Sequence, residues 1–381
     1  MYKSEIKEFY NKNKAYCAYP FREIYNDSGG HYKLCCYSSV HPDTRKYTTQ
    51  NTTPFKYFRS KEMEEIRNKM MSGEKIPECQ VCYDLEDTGG ESYRTGKYRK
   101  KYGVDLYPTG IGLKLRINGS FCNLGCYMCH PYNSSTRRNE LKAVFDNPYE
   151  GFGPDTEAAP IKYKEWHDSV DDIIKNIDLV SYMNITGGEP LQLPAHWKLL
   201  DRIPDDAAKH ITLSYDTNLT ELRYKDKSIF DYVSKFKEIK LGVSSDHIKE
   251  KEAWIRYPKD VKKFESNLKE AKLLIKQINC SVSLLNVFDL HEIRDYNWTN
   301  FGIHTTFMNI VRGPQFLSIK NLDENIKKEL IKKYEDIDDG KYIQNELMKD
   351  KKYDLDVMRN YCDKLSKHRN FDWRELWHDR F

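Results

Sequence analysis

Phe121-Cys122-Asn123-Leu124-Gly125-Cys126-Tyr127-Met128-Cys129-His130 decides the fold, because it sets the thiols of Cys122, Cys126 and Cys129 at C-x3-C-x2-C spacing on one short loop. A closed structural zinc site takes four protein ligands. Three thiolates on one loop can instead hold three irons of a four-iron cluster and leave the fourth open to a small molecule. Gly125 permits a turn with φ > 0 and Asn123 tolerates the left-handed region, so the loop is expected to fold its thiols inward.

Working outward, Gly112-Leu113-Lys114-Leu115-Arg116-Ile117 alternates with period two and runs straight into the thiol loop, and a helix is expected after it over about 134–146. Strand, functional loop, helix is the unit of a TIM-type barrel, in which sites sit at the C-terminal ends of strands. The unit repeats: strands are expected over 178–185, 209–215, 238–244, 279–285 and 303–309. Helical patterns at about 166–176, 194–202, 220–236 and 259–277 separate them. In the last of these Val261, Phe264, Leu268, Ala271 and Ile275 share one face. Six strands with right-handed crossovers make an α/β chain with a partial (β/α)6 TIM-type barrel. The second strand ends in Asn184-Ile185-Thr186-Gly187-Gly188-Glu189-Pro190. Two glycines let backbone approach a ligand, Glu189 offers an acceptor for an ammonium, and Pro190 suits the opening of the next helix.

A C-x3-C-x2-C loop followed one βα unit later by Gly-Gly-Glu-Pro resembles the radical S-adenosylmethionine (SAM) enzymes. Met128 stands where that family usually has an aromatic residue, and its apolar side chain can still cover the adenine side. The resemblance implies that Cys122, Cys126 and Cys129 hold a [4Fe–4S] cluster whose open iron is chelated by SAM. It implies that Gly187, Gly188, Glu189 and Pro190 position SAM, and that reductive cleavage yields a 5′-deoxyadenosyl radical that removes a substrate hydrogen. By the same likeness Ser214, Asp216, Ser244, Asp246 and Arg256 are further SAM contacts. Arg256 suits the SAM carboxylate because its planar fork pairs two oxygens. His130, directly after a cluster cysteine, is read as a hydrogen-bonding or exposed residue, and no side chain is assigned as catalytic acid or base. Cys280 and Cys362 read as buried thiols.

The first hundred residues carry Cys17, Cys35, Cys36, Cys79 and Cys82. Two short strands are expected around the turn Asn26-Asp27-Ser28-Gly29-Gly30. A helix over about 60–72, capped by Ser60 and stopped at Gly73, then delivers the Cys79-Gln80-Val81-Cys82 knuckle. On spacing alone a zinc ribbon, an iron site and disulfides all remain open. The region resembles the SPASM or twitch auxiliary-cluster domain of radical SAM maturases, although that family usually places it after the barrel. This implies that Cys17, Cys35, Cys79 and Cys82 ligate a second, auxiliary [4Fe–4S] cluster that relays electrons, with Cys36 a spare, buried thiol.

The expected organisation is therefore an auxiliary-cluster domain (1–105), a radical SAM partial barrel (106–315) and a helical C-terminal extension (316–381). Residues 89–101 read as a connector and 147–165 as an insertion over the barrel mouth. Helices over 323–336, 341–350 and 355–367 read as packing with no chemistry of their own. The 381 residues carry 62 Lys+Arg against 58 Asp+Glu, a net charge of +4 that provides no electrostatic footprint for nucleic acid. No apolar run approaches 18 residues, so neither a membrane span nor a signal peptide is expected and the cytoplasm is the expected location. There, clustered thiols favour metal over disulfides. The resemblance implies a peptide or protein substrate modified by epimerisation, crosslinking or side-chain oxidation, and an external electron donor of flavodoxin or ferredoxin type. The alternatives are a small metabolite such as a sugar or nucleoside, and, from another class, a non-catalytic zinc-binding module.

Overall fold

The protein is described by a computed structural model that covers residues 12–27, 29–87, 89–90, 92–97, 110–116, 120–152, 167–337, 339–378 and 380. Of the expected connector, 91 and 98–101 lie outside these residues, as does the part of the insertion after Phe152.

The strands are β1 (Glu23–Asn26), β2 (Tyr32–Lys33), β3 (Ile111–Arg116), β4 (Val180–Thr186) and β5 (Thr212–Thr217). A small hairpin of β6 (Arg223–Tyr224) and β7 (Lys227–Ser228) follows, then β8 (Glu238–Ser244), β9 (Ile275–Val282) and β10 (Thr305–Ile310). Eight of them form one sheet in the order β10-β9-β8-β5-β4-β3-β1-β2. From β3 to β10 every neighbour is parallel and follows in chain order apart from the hairpin, the signature of a partial barrel wound from βα units.

Strand alternation divides inside from outside. In β8, Ile239, Leu241 and Val243 are buried towards the helices, while Lys240, Gly242 and Ser244 occupy the opposite, lumen face. β9 begins at Ile275, four residues before its expected start, and the preceding helix ends at Glu270 instead of about 277. No helix forms over 220–236: the hairpin β6–β7 and a single turn, Ile229–Tyr232, take its place. There, Lys225 at φ 55° makes the tight hairpin turn that a helix cannot accommodate.

The N-terminal region does not fold apart from the barrel. β1 pairs in parallel with β3, and Phe55 donates its N–H to Asp172 at 2.7 Å. Tyr16, Tyr32, Phe55, Met63 and Ile66 share one apolar cluster with Leu113, Met183 and Leu213. The Gly-rich turn and the Ser60-capped helix Lys61–Met71 form where the sequence places them, with Gly73 at φ 88° ending the helix. A second cluster joins Tyr127, Trp254 and Cys280 to the C-terminal helices Glu324–Lys333, Gly340–Leu347 and Leu355–Arg369. Cys280 and Cys362 are fully buried in it.

His196, fully buried on the helix side of the sheet, pairs Nε2 with the Tyr215 hydroxyl at 2.7 Å, and Nδ1 has no partner among the described residues. Burial pushes its pKa from 6.5 down to about 3. The unfolded chain takes up this proton below pH 6.5 and the folded chain does not. The contribution is therefore full above pH 6.5 and is lost as pH falls towards 3. Between pH 7.5 and 5, urea unfolding should show the wild type losing about 2 kcal/mol more than His196→Gln.

Candidate functional site

The thiol loop is held by its own backbone carbonyls. Thr136 Oγ1 donates to Cys122 O at 2.6 Å and Ser134 Oγ to Leu124 O at 2.6 Å, while Ser134 also caps the helix Ser135–Val144. Arg369 Nη2 donates to Gly125 O at 2.8 Å, and both Arg137 Nη2 (2.6 Å) and Tyr361 Oη (2.9 Å) donate to Tyr127 O. Glu140 lies between the two guanidiniums, accepting from Arg369 Nε at 2.6 Å and from Arg137. All three charged side chains are buried. The C-terminal helix Leu355–Arg369 therefore does more than pack: it holds the loop that carries the thiols. Neither Gly125 nor Asn123 adopts a positive φ. An added Cβ at 125 would lie 3.1 Å from Glu140 Oε2, a tight contact against this clamp.

The diglycine turn locks onto the same loop. Glu189 donates its N–H to Phe121 O at 2.8 Å, and a Cβ on Gly188 would fall 1.8 Å from that oxygen. Gly187 has φ 139°, a backbone that side-chain-bearing residues rarely adopt. Gly188→Ala must push the two loops apart. The expected result is a loss of about 3 kcal/mol in urea unfolding together with reduced iron uptake at the triad.

Between these loops lies a cavity of about 330 Å³. Cys122, Cys126, Cys129, Gly187, Gly188, Asp216, Ser244 and Arg256, all singled out in the sequence, line it together. The others do not. Glu189 is fully buried and accepts from Thr217 Oγ1 (2.6 Å) and Asn218 N (2.7 Å), so its carboxylate braces the end of β5. Burial raises its pKa to about 7. Pro190 begins one 3₁₀ turn, Pro190–Gln192, and the helix proper starts at Pro194. Asp246 is fully buried behind the wall, paired with Arg256 Nε at 2.7 Å, so it acts on the cavity only through that arginine. Ser214 lies two residues further down β5 and lines a second cavity in the barrel lumen. Cys36, expected to be a buried spare, is half-buried and lines the first cavity. His130 stays off the cavity wall, its ring against Phe152 at 4.8 Å, and burial lowers its pKa to about 4.

Sequence reasoning missed Lys114, Arg116 and Asn218, which also line the cavity. The first two sit at alternate positions of β3 just before the thiol loop, a periodicity that places both on the lumen face. Asn218 Nδ2 and Arg256 Nη1 point at sulfur, each 3.8 Å away, from Cys122 and Cys126 respectively.

All ten cysteines are free thiols. Burial pushes Cys129 and Cys35 up to about 12, so in this apolar setting each thiol needs positive charge to ionise. Cys17, Cys35, Cys79 and Cys82 line one pocket together with Tyr93 and Arg94. Among the described residues no three His, Cys, Asp or Glu side chains close around a single metal ion. The donor chemistry fits iron–sulfur clusters: three thiols beside an open cavity with donors aimed at sulfur, and four thiols without such an opening.

The thiol triad and the diglycine turn thus meet at the C-terminal ends of the strands of a parallel partial barrel. Residues 118–295 match the model of the Radical SAM superfamily. No curated protein matches the chain. Among solved structures, native anSMEcpe with bound AdoMet is 17% identical, with 58% of this chain covering 59% of that one at a TM-score of 0.40. Streptococcus suis SuiB bound to S-adenosylmethionine is 17% identical over 82% of this chain and 59% of its own, TM-score 0.37. SuiB bound to precursor peptide SuiA is 14% identical over 87% and 54%, TM-score 0.37. The chain spans less than two thirds of each of these proteins. Among the described residues no helix is long and apolar enough to cross a membrane.

Proposed function

We propose that the protein is a radical SAM enzyme that modifies a peptide or protein, with SAM and a [4Fe–4S] cluster at the triad and a second [4Fe–4S] cluster at Cys17, Cys35, Cys79 and Cys82. The observation that carries this is the meeting of Cys122, Cys126 and Cys129 with Gly187 and Gly188 on one cavity inside a matched radical SAM domain. When bound, the cluster supplies the electron that cleaves SAM to methionine and a 5′-deoxyadenosyl radical.

The chain's own part is positioning. Gly187 and Gly188 bring bare backbone to the cavity, where carbonyl oxygens suit the SAM ammonium. Asp216 and Ser244 offer oxygens for ribose hydroxyls. Arg256, pinned through Nε by Asp246, keeps its Nη groups on the cavity side for a carboxylate or for sulfur. The peptide substrate is supported by the likeness of the N-terminal cysteine pattern to auxiliary-cluster maturases. A flavodoxin or ferredoxin would supply electrons.

Anaerobic reconstitution tests the reading. About eight irons per chain and 5′-deoxyadenosine on reduction with SAM are expected. A colourless, zinc-loaded protein that leaves SAM intact would overturn it.

A further inference from the structure

TIM-type barrels usually fill their lumen with branched apolar side chains. This one does not. The lumen-facing positions of β3, β4, β5, β8 and β9 include Lys114, Asn184, Ser214, Lys240 and Gln277, around a second cavity of about 230 Å³. The outward positions Leu113, Met183, Leu213, Leu241 and Ile278 are fully buried against the helices. Lys114 and Asp216 line both cavities, so the lumen opens directly onto the proposed SAM site.

Two groups in this space lack a direct hydrogen-bond partner among the described residues. Asn184 is only 6% exposed, and its Oδ1 has no hydrogen-bond partner among the described residues. Its Nδ2 reaches Ser214 Oγ at 3.5 Å. A buried amide oxygen without a donor is costly, and a ligand N–H or hydroxyl would recover that cost. The Lys114 ammonium has no hydrogen bond or direct ion pair among the described residues; Cys36, Glu23 and Asp216 act on it electrostatically without touching it, and the Tyr25 ring lies 5.9 Å from Nζ. Lys240, by contrast, is already paired with Glu238 at 2.6 Å. Lys114 is thus a cation at the junction with the SAM cavity that makes no direct ion pair among the described residues. The space is smaller than the roughly 300 Å³ or more typical of sites for whole small molecules, which suits one side chain of a larger substrate.

We infer that the lumen is the substrate pocket and that it receives a carboxylate at Lys114, with an amide N–H of the same substrate at Asn184. The inference rests on the radical SAM reading and names its substrate class: a peptide presenting an acidic group.

The test uses the full chain with both clusters reconstituted, SAM and dithionite, and the peptides Ac-Gly-Ala-Xaa-Ala-Gly-NH2 with Xaa as Glu, Asp, Gln or Lys. The Gln peptide with a free C-terminus separates a terminal carboxylate from a side-chain one. The readout is the gain in 5′-deoxyadenosine over the peptide-free reaction, taken as a ratio of acidic to neutral peptide within each variant. A charge-assisted hydrogen bond predicts a ratio of about tenfold or more in the wild type. It should fall to about one in Lys114→Gln, and Lys114→Glu should prefer the Lys peptide. An acid preference absent from the wild type, or unchanged in Lys114→Gln, overturns the assignment, as does a wild type that no peptide stimulates. Peptide-free 5′-deoxyadenosine separates the two levels. If it forms without acid preference, the pocket assignment alone fails; if it never forms, the radical SAM reading has failed. Iron content checks folding of each variant, and should Lys114→Glu lose iron, Lys114→Gln carries the result.

Discussion

Replacing any one of Cys122, Cys126 or Cys129 by Ala should reduce SAM-dependent 5′-deoxyadenosine formation to background and lower bound iron from about eight to about four atoms per chain. The three thiols sit on one loop, and each lines the same cavity. Two remaining thiolates cannot hold a cube while leaving a defined open corner. The second set, Cys17, Cys35, Cys79 and Cys82, frames a separate pocket in the N-terminal region. It should therefore keep its iron and serve as an internal control for folding. The reciprocal variant, Cys79→Ala, should lose the other half of the iron while SAM cleavage continues. Iron analysis and quantification of 5′-deoxyadenosine on the same samples decide both. Loss of all iron from either single variant would contradict two independent sites.

The second large effect should come from the clamp beneath the loop. Glu140 is buried between Arg137 and Arg369, and those two guanidiniums hold Tyr127 O and Gly125 O. Removing the carboxylate leaves two buried cations facing each other without a counter-ion. Breaking a buried pair this way costs about 3–5 kcal/mol. Glu140→Ala should therefore lower stability by that amount in urea unfolding. Arg369→Gln should cost less, because Arg137 still pairs with Glu140. Both should weaken iron retention at the triad before they weaken it at the N-terminal set, since only the triad's loop is held by the clamp. Unfolding midpoints and iron content measured side by side distinguish this from a general loss of packing, which would affect both sets alike.

How much of this could be read from sequence follows from which contacts are local. The thiol loop, the diglycine turn and the alternation of β3 are spelled within ten residues each, and the structure brings them to one cavity. The helices Lys61–Met71 and Pro194–Arg202 have their stop or start signals in the chain, Gly73 and Pro194. β9 was misplaced because Ile275 continues the helical spacing of Leu268 and Ala271, which carried the expected helix past the point where the alternation of Ile278, Cys280, Val282 and Leu284 begins the strand. The clamp was illegible for a different reason: Arg369 and Glu140 are 229 positions apart, and a Lys/Arg-rich helix end reads as a solvated face until the fold buries it. Glu189 shows the same limit. Its place in the motif suggested a contact to SAM, and nothing local to the motif signalled that Thr217 and Asn218, brought alongside by β5, also donate to its oxygens.

The central claim is that the triad leaves one iron for SAM, next to the diglycine turn. The most direct measurement is electron–nuclear double resonance on the reduced protein with SAM labelled by 15N at the amino group and 17O at the carboxylate, in the Cys79→Ala background to remove the second cluster's signal. The account predicts hyperfine coupling from both labels to the triad's cluster. Coupling from neither label, with the cluster spectrum unchanged by SAM, would contradict it.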